Sequence, residues 1–230
     1  MSRLRIVSLV PSVTETLVAW DHPPVGCTRF CHQPSVAQVG GTKDPDLATV
    51  TSLGPDLVVM DREENRREDH DALVAAGVPV HVLAVRSVAD VGRQLGALAE
   101  RIGVVWEPPT LPPPHPAPGV RVFVPIWRRP WMGLGRPTYG ASLLATLGFE
   151  TVHGRDGPYP ATSLEDARAR NPAAVLAPSE PYPFTRRQVP ELSTVAPVRL
   201  VDGRDLFWWG WRTAAACERL GEDLGDLVRP

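Results

Sequence analysis

Between Glu107 and Gly119 the chain reads EPPTLPPPHPAPG, seven prolines in thirteen residues. Each proline fixes φ and removes a main-chain donor, so the run forms an extended, stiff connector instead of packed core. It divides the 230 residues into two parts, each large enough for a small α/β lobe. We read residues 1–86 as an N-terminal α/β lobe, 87–118 as a bridging helix with the proline-rich linker, and 119–230 as a C-terminal α/β lobe.

The periodicity on either side supports this division. Arg5 to Val10 is a short apolar strand that Pro11 ends, and Ser12 with Glu15 has the spacing of a capping box, which predicts a helix toward Trp20. Leu47 to Leu53 reads as a short helix and Asp56 to Met60 (DLVVM) as a buried strand. The polar run DREENRRED opens a helix that Gly77 terminates before a strand from Val78 to Leu83. From Ser87 to Gly103 an amphipathic helix carries Val88, Val91, Leu95, Leu98 and Ile102 on one stripe. The second part opens with a strand from Val120 to Ile126 and closes with one from Val198 to Val201.

An internal echo links the two parts. LATVTSLGPDLVVMDREEN from Leu47 and LEDARARNPAAVLAPSEPY from Leu164 align at a constant offset of 117 positions. Each has a helix-opening leucine, a proline eight residues on (Pro55, Pro172), a four-residue apolar strand and a glutamate (Glu63, Glu180). Two related lobes account for this, although leucine, helix, proline and strand also recur in α/β proteins without duplication. The predicted fold class is α/β: two Rossmann-like lobes with parallel sheets, bridged by a helix, with a ligand cleft between them. Ligands of open parallel sheets bind beyond the carboxyl ends of the strands. The segments after Val10, Met60, Ile126, Ala177 and Asp202 are therefore expected to line the cleft.

Those segments hold the unusual residues. Trp127 and Trp131 lie in IWRRPWM, Tyr182 and Phe184 in SEPYPF, and Trp208, Trp209 and Trp211 in DLFWWGWR, with Phe30 in the loop VGCTRFCHQP. Such rings bury much area at little rotamer cost, which suits a large, flat, amphipathic ligand. Arg128, Arg129 and Arg212 are suited to oxygens on its rim. Strand-like alternation would send Trp209 and Trp211 to one face and Trp208 to the other, with Trp208 the packed one.

Other chemistry finds less support. Cys27, Cys31 and His32 are all metal-ligand types, but no second ligand pair accompanies them, so no metal site is predicted. Glu63, Glu64 and Glu180 fit either acid-base work or solvated charges at helix starts. Recognised nucleophile, phosphate-loop and dinucleotide motifs do not occur, and no catalytic residue is assigned. The 24 basic and 26 acidic side chains nearly cancel, which excludes a general attraction to nucleic acid or to an anionic membrane. No apolar run approaches the ~18 residues of a membrane span. The opening MSRLRIVSLVPSVTETL lacks the form of a secretion signal, and three cysteines are an odd count, so a cytoplasmic location is expected.

Taken together, RIVSLVPSVTETLVA, the GCTRFCH loop, VGGTKDPDLATVTSLGPDLVVMDREENRRED, IWRRPWM, PSEPYPF and LVDG resemble the class III periplasmic binding protein superfamily, the helical-backbone metal receptors. The resemblance is to its cobalamin-binding, signal-less, cytoplasmic-looking branch. It implies non-catalytic binding of cobalamin or a related corrinoid in the interlobe cleft. An iron-siderophore or haem-type chelate, or an intracellular enzyme or chaperone acting on a tetrapyrrole, are the alternatives. Carried onto this sequence, the ligand-binding candidates are Phe30, His32, Glu63, Trp127, Arg128, Trp131, Glu180, Phe184, Trp209, Trp211 and Arg212. In secreted members the resemblance implies transfer of the ligand to an ABC transporter permease through one acidic residue on each lobe, and because the opening is not read as an export signal, such delivery is not expected here.

Overall fold

A computed structural model describes residues 3–108, 110–113 and 119–228. In chain order its elements are β1 (Ile6–Ser8), α1 (Pro11–Ala19), β2 (Gly26–Cys27), β3 (Ala37–Gln38), α2 (Leu47–Ser52), β4 (Leu57–Asp61), α3 (Arg67–Ala75), β5 (Val80–Leu83) and α4 (Val88–Ile102). There follow β6 (Val120–Phe123), β7 (Pro125–Trp127), β8 (Trp131–Gly133), α5 (Tyr139–Thr146), β9 (Phe149–Thr151), β10 (Ala161–Thr162) and α6 (Leu164–Ala169). The last are β11 (Ala174–Pro178), α7 (Val189–Leu192), β12 (Val198–Val201), α8 (Gly203–Phe207) and α9 (Thr213–Val228). The proline connector expected over 107–119 lies partly outside the described residues.

The chain forms two compact units. The first holds the residues up to Val85, Ala89–Pro108 and the short segment Trp209–Trp211. Its sheet is fully parallel in the order β3-β2-β1-β4-β5, with Val7 opposite Val58 in the central pair. Val7, Leu9, Val39, Val50, Val58, Met60 and Leu73 pack into one buried cluster. The near-continuous apolar run of β4 is what a strand covered on both faces requires. The capping box expected at Ser12 does not form. Val10 is the N-cap without a side-chain bond, and Pro11 takes the first helical position. Its fixed φ and absent N–H suit that position, so the helix begins earlier than a Ser12 cap would place it. Along α4 the expected stripe is buried, from Val88 at 7% exposure to Leu95 and Leu98 at 0%.

The second unit holds Arg86–Val88, the chain from 110 to Trp208 and the chain from Arg212. Its main sheet is parallel in the order β12-β11-β6-β9, with Val175 opposite Phe123. The single strand expected from Val120 to Ile126 is divided. Pro125 has no N–H for the ladder, and the chain from there enters a separate antiparallel sheet in the order β10-β8-β7. That small sheet was not legible in the sequence.

The internal echo is visible element by element. The α2 and α6 helices, the β4 and β11 strands and the N-caps Asp46 and Ser163 all recur at the same offset of 117, each cap side chain accepting from an amide three residues on. Both strands sit at the point where their sheet's order reverses: β4 beside β1, and β11 beside β6.

Candidate functional site

That reversal point is where open parallel sheets bind ligands, because the crossovers leave on opposite sides and open a crevice at the carboxyl ends. In the second unit, the chain leaving β6 carries Trp127 and Trp131, and the chain leaving β11 carries Glu180, Tyr182 and Phe184. Four of these rings form one aromatic group. Trp127 meets Tyr182 edge-on at 5.7 Å, Tyr182 lies 4.7 Å from Phe184, and Phe184 stacks on Trp131 at 6.0 Å with planes 6° apart. Phe184 is buried and belongs to the cluster of Phe123, Val175 and Leu192, whereas Trp127 is 44% exposed. The group is therefore an extension of the core that ends in open indole surface.

Arg128 lies over the Trp131 ring at 6.0 Å and pairs with Glu191 at 3.0 Å. Its Nε is buried without a hydrogen-bond partner among the described residues. Beside Phe184, a depression of about 530 Å³ is lined by Pro183, Thr185, Arg186, Arg187 and Gln188. Glu180 accepts a 2.9 Å hydrogen bond from Trp208 Nε1, and Arg212 covers the Trp208 ring at 5.5 Å while pairing with Asp205 at 2.6 Å.

The alternation expected for DLFWWGWR is overturned. The segment begins in the short helix α8 and then turns at Gly210, whose φ is +121° and where a Cβ would lie 2.4 Å from Thr16 Oγ1. Trp209 is the buried indole, Trp208 is half-buried, and Trp211 is 55% exposed with its amide donating to Thr16 Oγ1 at 3.1 Å. Trp209 and Trp211 group with the first unit.

In the first unit, the carboxyl ends of β1 and β4 are tied by Asn65, which sequence reasoning missed. Its Oδ1 accepts from the Asp61 amide at 2.8 Å, and its Nδ2 donates to the carbonyls of Leu9 and Thr42 at 3.1 and 3.0 Å. Asp61 is buried beneath, and its Oδ1 accepts from the Glu63 amide at 2.8 Å. Burial pushes the Asp61 carboxyl above the usual carboxylate range, against the pull of the Glu63 and Glu64 amides. The carbonyl of Glu63 accepts from Lys43 Nζ at 2.6 Å. Phe30 is 47% exposed with the Arg29 guanidinium 4.8 Å above its ring, and the exposed His32 has a positive φ of 50°. No group of three or more metal-ligating side chains converges among the described residues. Among those residues no helix is long and apolar enough to cross a membrane.

No protein-family model matches the chain. The vitamin B12-binding protein of Salmonella typhi is 28% identical over 189 residues, covering 75% of this chain and 71% of that protein. Among solved structures, a periplasmic haem-binding protein from Pseudomonas aeruginosa superposes with a TM-score of 0.80 at 19% identity, covering 100% of this chain and 95% of that one. The periplasmic vitamin B12-binding protein of Vibrio cholerae gives 0.75 at 15% identity, with 98% of each chain covered. The chain shares its fold with these periplasmic binding proteins.

The same comparisons correct the cytoplasmic expectation. The neighbours named above are periplasmic proteins, which runs against that expectation. The odd cysteine count misled because all three thiols are buried. A buried cysteine behaves as a small apolar side chain, so its number alone does not report the redox compartment.

Proposed function

We propose that this protein is a non-catalytic binding protein for a corrinoid of the cobalamin class, held against the aromatic group after β6 and β11. The observation that carries the reading is the exposed indole of Trp127, with Trp131 backed by the buried Phe184, at the reversal point of a parallel sheet. A rigid ring supported from behind presents its open surface at low entropic cost, which favours a planar, amphipathic macrocycle. The relative named as a vitamin B12-binding protein supports the choice of corrinoid. Arg128 would meet carbonyl or carboxylate oxygens on the rim, and Phe30, His32, Glu63, Trp211 and Arg212 are the further candidates. Glu180 and Trp209 are better suited to holding neighbouring groups, since Glu180 anchors Trp208 and Trp209 is buried. Delivery to an ABC transporter permease follows from the same reading and from a periplasmic location.

A haem-type chelate is the second reading, favoured by the higher TM-score of the haem-binding neighbour. Tyr182 in the aromatic group supplies a phenol of the kind that binds haem iron. Competition decides between them. Protein loaded with cobalamin is titrated with haemin while the visible spectra of both are followed. Retention of cobalamin against equimolar haemin supports the corrinoid, and its complete displacement supports the haem reading.

A further inference from the structure

Phe184 leads directly into the turn from Thr185 to Gln188, which with Pro183, the residue between Tyr182 and Phe184, lines the depression of about 530 Å³. The turn uses its side-chain acceptors internally. Gln188 Oε1 accepts from the Thr185 amide at 2.9 Å and from the Thr185 hydroxyl at 3.0 Å, and that hydroxyl oxygen accepts from the Arg187 amide at 3.3 Å. The Thr185 carbonyl takes the Gln188 amide at 3.1 Å, and the Arg186 carbonyl takes the Val189 amide at 3.4 Å. What remains of the side chains is donors. Gln188 Nε2 and the exposed guanidiniums of Arg186 and Arg187 have no hydrogen-bond or ion-pair partner among the described residues. Glu191, the carboxylate of the α7 helix that follows, is already paired with Arg128 at 3.0 Å. A lining whose spare capacity is positive and donor-only matches an oxyanion, because its oxygens only accept. A primary amide on a macrocycle rim would leave its own N–H groups unmatched there.

We propose that the Thr185–Gln188 turn is an oxyanion subsite beside the aromatic group, and that on the corrinoid reading above, on which this assignment rests, it takes the phosphodiester of the nucleotide loop. Arg186 and Arg187 supply the charge. Gln188 supplies a neutral hydrogen bond from Nε2, and the two Thr185 bonds to Oε1 fix which way that carboxamide points. The turn thereby distinguishes a complete cobalamin from a corrinoid without its nucleotide loop.

The test is calorimetric titration of wild type and the double variant Arg186→Gln, Arg187→Gln with cobalamin and with cobinamide, which lacks the nucleotide loop and its phosphate. Wild type is expected to bind cobalamin at least about tenfold more tightly than cobinamide, the effect of one charge-assisted hydrogen bond. The double variant is expected to bind the two alike, with its affinity for cobinamide unchanged. Equal affinities in wild type, or a preference that the double variant keeps, would overturn the subsite while leaving the corrinoid reading in place. If wild type binds neither compound, the corrinoid reading fails on its own, and inorganic pyrophosphate then decides the subsite. Its phosphorus resonance is expected to shift or broaden with wild type and not with the double variant, and the absence of that difference would overturn the subsite.

Discussion

The ring of Trp131 lies parallel to the ring of Phe184, with 6.0 Å between centroids and 6° between planes. Phe184 is core, whereas the same aromatic group ends in Trp127, 44% exposed, so Phe184 and Trp127 should respond differently to truncation. Phe184→Ala is expected to cost about 3–5 kcal/mol of stability through the cavity it leaves. Trp127→Ala, which removes a partly exposed ring, is expected to cost about 1 kcal/mol. Urea unfolding of both variants checks the contrast, and equal losses would show that the aromatic group is not layered in this way.

Gly133 holds β8 against the buried ring of His153, where an added Cβ would lie 2.6 Å from Cδ2. That ring cannot swing away without breaking its contacts to Asp156 at 3.0 Å and Thr162 at 3.2 Å. Gly133→Ala is expected to destabilise by about 1–3 kcal/mol. Gly225→Ala, in α9 with nothing within 4 Å of the new methyl, is expected to stabilise by up to about 1 kcal/mol. Thermal unfolding of the two variants should shift the midpoint in opposite directions.

Asp205 is buried between Arg219, at 2.7 and 2.6 Å, and Arg212, at 2.6 Å. The Arg219 hydrogen bond, helped by the charges of Arg219, Arg212 and Arg204, holds its carboxyl below the usual range against desolvation. The folded state therefore binds this proton more weakly than the unfolded chain does. Its stabilisation is present above the ordinary carboxylate pKa of about 4 and is lost as pH falls through the lower folded value. Asp205→Asn is expected to cost on the order of 3 kcal/mol at neutral pH. The gap to wild type should narrow in acid, and urea unfolding at pH values on either side of the transition measures it. A pH-independent gap would mean that packing, not charge, is lost.

How much of this was legible in the sequence depended on how local each signal was. A capped helix, a proline and an apolar run lie within one short stretch, so α2 with β4 and α6 with β11 could be paired by offset before any coordinates. Trp127, Trp131 and Phe184 were singled out because they follow strands, and the structure gathers them into one aromatic group. Asn65 was invisible, since its partners are main-chain groups, the amide of Asp61 and carbonyls 56 and 23 positions away, that any residue type would supply. The fate of Trp208, Trp209 and Trp211 was misread because alternation presumes an extended chain, while Gly210 turns it through a positive φ. The break in the strand at Pro125 was written in the sequence, but its product, an added antiparallel sheet, depends on distant pairing with Thr162 and Ala161.

The central claim is that the indole surface after β6 binds a corrinoid. Calorimetric titration of wild type and Trp127→Ala with cobalamin tests it most directly, because Trp127 is exposed and its loss should leave the fold intact. Wild type is expected to bind with a dissociation constant on the order of micromolar or tighter, and the variant to bind at least about tenfold more weakly, a loss of roughly 1.4 kcal/mol. Absence of binding by wild type, or equal affinity in the variant, would contradict the account.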